Sequence, residues 1–528
     1  MLFISILLLI MVMAIPSLKT QISPILFQRL SSIILIYAGA LSLNALYIQS
    51  IGSGIGIYSG LFHVTFISQL LDIFIYIIGA AILIARPLPI YVNYTNSSII
   101  EENSYKNSIE YCLLIMFSTL GASLLISSSN LISMYLSIEL QSFAVYILST
   151  LYRNSESATS AGLKYFLLGS LASCFILLGS GLIYTYTGLT NLESIYNLIS
   201  VTGSNKITQG IALGFILIFS GFLLKIAAAP LHNWAPDVYD ESPTIITIWL
   251  TIMPKISILI FILEIFTQIS SVNQILLDSM VGGFAANNTI GLNTIKNLLL
   301  ISSLFSLIIG TVVGLAQTKI KRLLAYSTIS HIGFILLALA INSEQSIDSF
   351  IFYIIQYTLT NLNTFLILLA IGYIINNNTI FNKGSEKDIK YISELKGLFF
   401  SNPILSISLT ICLLSMAGTP PLLGFFSKQF VLYSAIESGY YFMALSGILV
   451  SIISASYYLR IIRILHTETE LNNSLKAEGH NETNTTVGIS NIHSLLISSL
   501  TLLILFFVLR PSILLKSTQL LSLTLYSY

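Results

Sequence analysis

Fourteen apolar runs, each near the length that crosses a lipid bilayer, follow one another along this 528-residue chain. A bilayer core about 30 Å thick needs roughly 20 mainly apolar residues per helix. Only 9% of the residues are charged, whereas 55% are hydrophobic, so the chain lacks the charges that cover a soluble domain. This composition excludes a soluble enzyme, a nucleic-acid-binding protein and a disordered chain. We predict an all-α polytopic membrane protein with about fourteen transmembrane helices.

The runs are rich in Ile, Leu, Phe and Ser and do not alternate between apolar and polar residues, which argues against a membrane β-barrel. Three stretches rich in Asn, Ser, Lys and Glu are predicted to be polar loops, at 93–110, 376–397 and 467–490. We expect the tail, 511–528, to lie along the membrane surface. The predicted spans are 2–16, 25–48, 61–85, 111–128, 131–152, 160–187, 207–236, 244–267, 297–316, 323–341, 347–376, 402–437, 440–466 and 491–510.

The Lys and Arg residues predict the orientation of the chain. Connections that follow odd-numbered spans and precede even-numbered ones hold 15 of the 23 basic residues, the opposite face holds 4, and 4 lie within spans. The positive-inside rule then places both termini on the outer side. Because no basic segment precedes the first apolar run, we expect that run itself to insert the chain.

Ionisable residues inside the spans are the clearest functional signal. Glu139, in YLSIELQSFAVYIL, and Lys255, in TIMPKISIL, lie near the middle of their spans, and Lys164 follows SATSAG nearer a span end. A central charge costs about 2.5–3.5 kcal/mol even on the lenient insertion scale, so such residues mark pathways for protons or ions. The structural alternatives are an ion pair that joins helices and, for Lys164, a side chain that extends to the membrane surface.

Two spans carry helix breakers beside a lysine. Lys225 precedes Pro230 in GFLLKIAAAPLHNWAPDVYDESPT, and Lys428 follows Pro421 in LLSMAGTPPLLGFFSKQF. Irregular backbone at membrane depth is tolerated only inside protein or against a wet cavity. A pair of broken helices in corresponding positions of two halves indicates a transporter's working site. We therefore predict two inverted five-helix repeats, helices 4–8 and 9–13, each containing one discontinuous helix.

This division predicts four segments along the chain. They are an N-terminal three-helix segment with its loop at 1–110, a first repeat at 111–267, a second repeat at 268–466, and a polar loop, last helix and tail at 467–528. His331 lies mid-span in the second repeat, and an unperturbed histidine titrates near neutral pH. Its structural alternative is a hydrogen-bonded packing residue.

Nothing in the sequence indicates a cofactor held by this chain. Cys112, Cys174 and Cys412 lie far apart in apolar runs, so neither a disulfide framework nor an iron–sulfur site is predicted. No Gly-rich strand–helix unit indicates a dinucleotide site. If this protein takes part in redox chemistry, the electrons are predicted to travel elsewhere.

These motifs resemble the antiporter-type subunits of respiratory complex I. Within that family, Asp237-Val238-Tyr239 and the lysine at 428 are more typical of one subunit type than of the others. The segments that carry the resemblance are IELQSFAVYIL with Glu139, GLKYFLLGSLAS with Lys164, LLKIAAAPLHNWAPDVYDESPT with Lys225, MPKISIL with Lys255, KRLLAYSTISHIGF with His331, and MAGTPPLLGFFSK with Lys428.

The resemblance implies proton translocation across the mitochondrial inner membrane, driven by NADH-to-ubiquinone electron transfer elsewhere in the assembly. NAD, FMN, iron–sulfur clusters and ubiquinone are expected in other subunits. The expected partners are other complex I subunits, including neighbouring antiporter-like chains, and membrane lipids, with no nucleic acid. The richness in Ile, Asn, Tyr and Ser also resembles translation from an A+T-rich organelle genome.

A nearby carboxylate keeps a buried lysine charged, whereas desolvation favours its neutral form. We therefore interpret Glu139 and Lys164 as a switching pair and Lys225 as the central proton carrier. Lys255 would pass the proton to His331, and Lys428 would stand at the exit. Two other functions stay open at this point: a self-standing cation/proton antiporter, and a structural scaffold whose charges only bind neighbouring subunits.

Overall fold

The computed structural model of the protein describes residues 1–15, 24–48, 54–85, 98–152, 155–201, 206–279, 290–378, 388–467 and 490–526. Most of these residues are helical, which confirms the predicted all-α class. Much of the three predicted polar loops, namely 93–97, 379–387 and 468–489, lies outside the described residues.

The described part of the N-terminal segment contains three helices, α1 to α3, and one short hairpin. The hairpin pairs Ile55 with Val64 in antiparallel register, and Thr65 caps the following helix through reciprocal hydrogen bonds with Ser68. The predicted span 61–85 is therefore wrong at its start, because the capping box begins the helix at Phe66. The elements are α1 (Leu2–Ala14), α2 (Pro24–Ile48), β1 (Ile55–Ile57), β2 (Phe62–Val64) and α3 (Phe66–Ile84).

The next segment corresponds to the predicted first repeat. The prediction of a loop at 93–110 is wrong from Ser98 onward, because α4 already begins there; extending a helix costs less than starting one. The short helix α7 was also not predicted. The elements are α4 (Ser98–Ile126), α5 (Leu131–Ser149), α6 (Glu156–Thr187), α7 (Leu192–Val201), α8 (Lys206–Ile226), α9 (Trp234–Glu241) and α10 (Thr244–Ser279).

The remaining helices form the predicted second repeat and the C-terminal segment. Two short 3-10 helices, Ile392–Leu395 and Phe507–Leu509, lie between them. The α-helices are α11 (Ile290–Leu315), α12 (Ile320–Ile341), α13 (Glu344–Asn378), α14 (Leu398–Ser401), α15 (Pro403–Ala417), α16 (Leu423–Glu437), α17 (Tyr441–His466), α18 (Asn491–Phe506) and α19 (Ser512–Tyr526).

Among the described residues, 12 helices are long and apolar enough to cross a membrane, and α1 and α15 are shorter apolar helices. Each of the fourteen predicted runs contains a helix, although the number that crosses the bilayer stays a prediction. Helix α19 packs against α13 and α3, and its position at the membrane surface also stays a prediction.

Three helices form the centre of the bundle. The most apolar part of α10 and of α12 is 94% buried, and that of α13 is 89% buried, whereas the most apolar part of α2 is only 28% buried. Lipid or other chains must therefore cover the outer helices, while Lys255 on α10 and His331 on α12 are buried inside the bundle.

One close helix contact occurs in both predicted repeats. A Cβ atom at Gly121 would lie 2.7 Å from the Gln141 backbone nitrogen, and a Cβ atom at Gly310 would lie 2.7 Å from the Ser330 backbone nitrogen. Glycines allow this close approach between membrane helices. The matching α4–α5 and α11–α12 contacts support the predicted repeats, whose bounds and inversion stay a prediction.

We expect Gly121→Ala and Gly310→Ala to destabilise the protein by about 1–3 kcal/mol each, because the neighbouring backbone must move to admit a methyl group. The measurement is the amount of assembled complex that survives graded heating. Gly181→Ala and Gly372→Ala are matched controls, because a Cβ at either helical position meets nothing within 4 Å. Equal heat resistance of all four variants would show that the close contacts do not constrain packing.

Candidate functional site

The first helix break lies between α8 and α9. Helix α8 ends at Ile226, and Ala227 adopts a left-handed conformation with φ +65°, which costs a residue with a Cβ atom roughly 1–3 kcal/mol. Across the break, Trp234 Nε1 donates a 2.8 Å hydrogen bond to the carbonyl of Leu224. The two half-helices are thus joined beside Lys225, in the last turn of α8.

Lys225 forms a buried ion pair with Glu139. Its Nζ lies 3.1 Å from Glu139 Oε1 and 3.4 Å from Ser142 Oγ. Only 7% of the lysine side chain and 13% of the glutamate side chain are exposed. The predicted pairing of Glu139 with Lys164 is therefore wrong, because the carboxylate on α5 binds the lysine at the helix break.

A small cavity adjoins this ion pair. Its volume is about 20 Å³, and Lys225, Gln141, Tyr165, Trp234 and Pro254 are among the residues that line it. A space of this size with polar groups in its wall has room for about one water molecule. The cavity extends from the Lys225 ion pair to the helix that carries Lys255.

Lys255 is held in a different way. The residue is 1% exposed; its Nζ donates a 3.1 Å hydrogen bond to Thr328 Oγ1 and lies 5.3 Å from the centre of the Tyr239 ring. In the described part of the chain, it has no carboxylate as an ion-pair partner. A hydroxyl and an aromatic ring solvate an ammonium less well than a carboxylate does.

Gln141 and Ser257 connect the two lysine environments. The Gln141 amide nitrogen donates to Ser257 Oγ over 2.9 Å, and Ser257 Oγ lies 3.1 Å from the Gln141 amide oxygen. Because Gln141 also lines the cavity beside Lys225, this contact forms a polar bridge from the cavity on α5 to α10, the helix that carries Lys255.

Tyrosine hydroxyls surround His331 on α12. His331 Nδ1 and the Tyr353 hydroxyl are hydrogen-bonded at 2.8 Å, and the Tyr458 hydroxyl lies 3.5 Å from Nε2. The Tyr357 ring centre is 6.2 Å from the imidazole centre. Both ring nitrogens therefore face groups that can donate or accept a proton, as expected of a relay and also of a hydrogen-bonded packing residue.

Lys428 lies at the second helix break. Helix α15 ends at Ala417, Gly418 has φ +88°, and α16 begins at Leu423. Lys428 Nζ donates hydrogen bonds of 2.9 Å to the carbonyls of Met416 and Ala417. These carbonyls form the negative end of α15, which stabilises a cation. Both predicted breaks therefore occur beside a buried lysine.

Lys164 is not part of this buried set. Its side chain is 43% exposed, and its Nζ lies 3.3 Å from Asp237 and 3.6 Å from Glu241 on α9. This position agrees with the alternative in which the lysine extends to the membrane surface. The predicted role of Lys164 as the switching partner of Glu139 therefore needs revision.

Several polar residues of the site were not singled out in the sequence. These residues are all uncharged, and the chain contains 28 tyrosines, so residue type alone does not distinguish them from the other polar residues of the spans. They are Gln141, Ser257, Thr328, Tyr353 and Tyr357. Among the described residues, no group of three or more His, Cys, Asp or Glu side chains is arranged to hold a metal ion.

Comparison with known proteins identifies the family of this chain. The model of the family described as NADH:quinone oxidoreductase/Mrp antiporter, TM, matches residues 128–293 and 282–454. NADH-ubiquinone oxidoreductase chain 2 of Rhizopus oryzae is 49% identical over 98% of this chain and 98% of its own length. The chain belongs to the NADH:quinone oxidoreductase/Mrp antiporter family.

A second relative and one solved structure agree with this assignment. NADH-ubiquinone oxidoreductase chain 2 of Marchantia polymorpha is 38% identical over 69% of this chain and 68% of its own length. A chain of respiratory complex I from Thermus thermophilus has the same fold, with a TM-score of 0.70 and 24% identity over 97% of this chain and 98% of that one. The predicted resemblance to antiporter-type subunits of complex I is confirmed.

In this NADH:quinone oxidoreductase/Mrp antiporter family member, we expect Glu139→Gln and Lys164→Met to change the stability of the assembled complex independently, because the two side chains have different ion-pair partners. Their effects on the free energy of unfolding should add within about 0.5 kcal/mol in a double-mutant cycle. A larger interaction energy between the two substitutions would restore the pairing that the sequence suggested.

Proposed function

We propose that this chain is a proton-translocating membrane-arm subunit of respiratory complex I in the mitochondrial inner membrane. The observation that carries the proposal is the buried Lys225–Glu139 ion pair, placed at a helix break and beside a cavity with room for one water. The 49% identity to a chain 2 subunit supports the proposal that the chain is part of complex I.

The first step concerns the proton on Lys225. Glu139 stabilises the protonated lysine, and the cavity provides a path for a water molecule between Lys225 and α10. If movement of a neighbouring charge weakens the Glu139 contact, Lys225 loses its main compensation for burial. The proton then passes through the cavity towards Lys255.

The next steps use groups that lack a carboxylate. Among the described residues, the Lys255 ammonium group has a hydroxyl as its hydrogen-bond partner and an aromatic ring beside it, but no carboxylate, so we expect it to release a proton more readily than a paired lysine does. Thr328, its hydroxyl partner, is three residues before His331 on α12, which places both side chains on one helix face. From His331 the hydroxyls of Tyr353 and Tyr458 continue the polar path, and Lys428 is the terminal carrier at the second break.

The energy for these steps comes from outside the chain. Moving one proton against 100 mV costs about 2.3 kcal/mol, and we propose that electron transfer from NADH to ubiquinone in other subunits supplies it. This chain would then act as the translocase part of an enzyme whose redox groups are held elsewhere.

Lys225→Arg tests the proposal most directly. Arginine keeps the charge and the hydrogen bonds but does not deprotonate in proteins. We expect the complex to assemble normally, while proton pumping and coupled quinone reduction fall at least about a hundredfold, a loss of roughly 2.7 kcal/mol or more. Lys396→Arg is the matched control, because Lys396 is exposed, and it should pump as the wild type does.

Pumping at the wild-type rate by an assembled Lys225→Arg complex would overturn the proposed function and favour a structural scaffold. Proton-coupled cation exchange by the isolated chain in liposomes, without a redox partner, would instead favour a self-standing antiporter. Each result excludes the proposed function in a different way.

We also propose that both termini face the intermembrane space and that the segment 388–396 faces the matrix, as the distribution of Lys and Arg indicates. A cysteine introduced at Lys390, which is exposed, should react with an impermeant reagent only after the membrane is opened. Efficient reaction from the intermembrane side of sealed mitoplasts would reverse this orientation.

A further inference from the structure

Helix α9, which directly follows the first break, carries three acidic residues, and each of them binds a basic residue of another helix. Asp240 Oδ2 lies 2.7 Å from Lys319 Nζ. Glu241 lies 3.6 Å from Lys164 Nζ and accepts a 2.8 Å hydrogen bond from Ser160 Oγ. Each of these two acids therefore contacts a neighbour on only one side of α9, Asp240 the start of α12 and Glu241 the helix α6.

Asp237 differs from the other two acids because it binds cations on both sides. Its Oδ2 lies 3.3 Å from Lys164 Nζ on α6, and its Oδ1 accepts a hydrogen bond from the guanidinium of Arg322 on α12. One carboxylate therefore joins the two halves of the bundle through α9. The Asp237, Lys164 and Arg322 side chains are 32%, 43% and 36% exposed, and ion pairs that are this exposed contribute little to stability.

The position of α9 determines the surroundings of Lys225. Trp234, the first residue of α9, stacks on Tyr165 with ring centres 4.6 Å apart, and its indole nitrogen donates to the Leu224 carbonyl. Tyr165 is adjacent to Lys164 in sequence. Trp234 and Tyr165 both line the cavity beside Lys225, so a shift of α9 relative to α6 changes that cavity directly.

A second set of contacts holds the two halves together without Asp237. Lys321 Nζ donates to Asp388 Oδ2 over 2.6 Å and to the Ser242 carbonyl over 2.9 Å. Asp388 also accepts hydrogen bonds of 2.9 Å from the backbone nitrogen and the hydroxyl of Thr244, at the start of α10. Loss of the Asp237 charge therefore leaves this junction intact.

We propose that Asp237 is a positioning residue for proton transfer at Lys225, which it controls by holding α9 between Lys164 and Arg322. This inference rests on the proposed proton-transfer function and assigns a role to Lys164 as well. The lysine acts as a fixed cation that anchors α9, and the proton moves through the buried residues behind it.

The test compares Asp237→Asn with Asp240→Asn in the assembled complex. Both substitutions remove one charge from α9, but Asp240 binds a cation from only one half. We expect Asp237→Asn to lower coupled quinone reduction about tenfold, because small displacements at a reacting group cost this much or more. Asp240→Asn should change the rate less than about twofold, and Asp237→Glu should restore most of the activity.

A second readout separates positioning from proton transfer itself. In a Val145→Cys background, the introduced thiol lies in the wall of the cavity, and its reaction with a small permeant reagent is followed on the isolated peptide. Asp237→Asn should raise the labelling rate about tenfold, as a cavity opened by displacement of α9 admits the reagent, whereas Asp240→Asn should not.

If Asp237→Asn and Asp240→Asn give the same labelling rate, the positioning role is overturned, whatever happens to the reduction rate. The labelling needs no proton pumping, so its result is independent of the Lys225→Arg experiment. If the Asp237→Asn complex does not assemble, Lys164→Gln removes the other member of the pair. A labelling rate about tenfold higher than that of Asp240→Asn would then support the positioning role, and an equal rate would overturn it.

Discussion

An ammonium group inside this bundle must be solvated by polar groups of the protein, because neither lipid nor packed apolar side chains replace the water that it loses. Four lysines of the described residues are buried, and the three on the proposed proton path satisfy this requirement in three ways. Lys225 has the carboxylate of Glu139, Lys255 has the hydroxyl of Thr328 and the Tyr239 ring, and Lys428 has two main-chain carbonyls. These partners differ in how strongly they stabilise a positive charge, so the three ammonium groups are not equally stabilised.

The helix breaks make two of these arrangements possible. At the first break, the chain turns beside Lys225 and leaves a cavity between α5, α6 and α10. At the second break, the last carbonyls of α15 lack partners within that helix and accept hydrogen bonds from Lys428. An unbroken helix would have satisfied these carbonyls internally. The prolines and glycines thus provide both space and polar groups at membrane depth.

The sequence predicts which ionisable residues are buried and where the helices break, because the depth of a residue in the membrane follows from its position within an apolar run. Glu139, Lys225, Lys255, His331 and Lys428 all lie within helices or at breaks, as their positions in the runs indicate. Pairing is harder to predict, because it depends on which helices become neighbours and on the direction of each side chain around its axis. Glu139 therefore appeared able to bind Lys164, whereas helix packing brings it to Lys225 and leaves Lys164 with Asp237 on α9. Thr328 and Tyr353 acquire their importance only from contacts that no local pattern records.

The glycine contact that occurs in both halves shows which of their residues correspond. Gln141 follows Gly121 by 20 residues and Ser330 follows Gly310 by 20 residues, and both pairs make the same close approach. When the two contacts are aligned, Glu139 in the first half corresponds to Thr328 in the second, and Ser142 corresponds to His331. The carboxylate of Glu139 in one half and the hydroxyl of Thr328 in the other stabilise the charged forms of their lysine neighbours unequally. A proton path between identical sites has no intrinsic direction. In the proposed mechanism, the driving force for transfer from Lys225 to Lys255, which has no carboxylate partner among the described residues, changes whenever the Glu139 contact is made or broken. The asymmetry between the two halves would therefore allow a charge moved at one end of the bundle to act on a proton held near its centre.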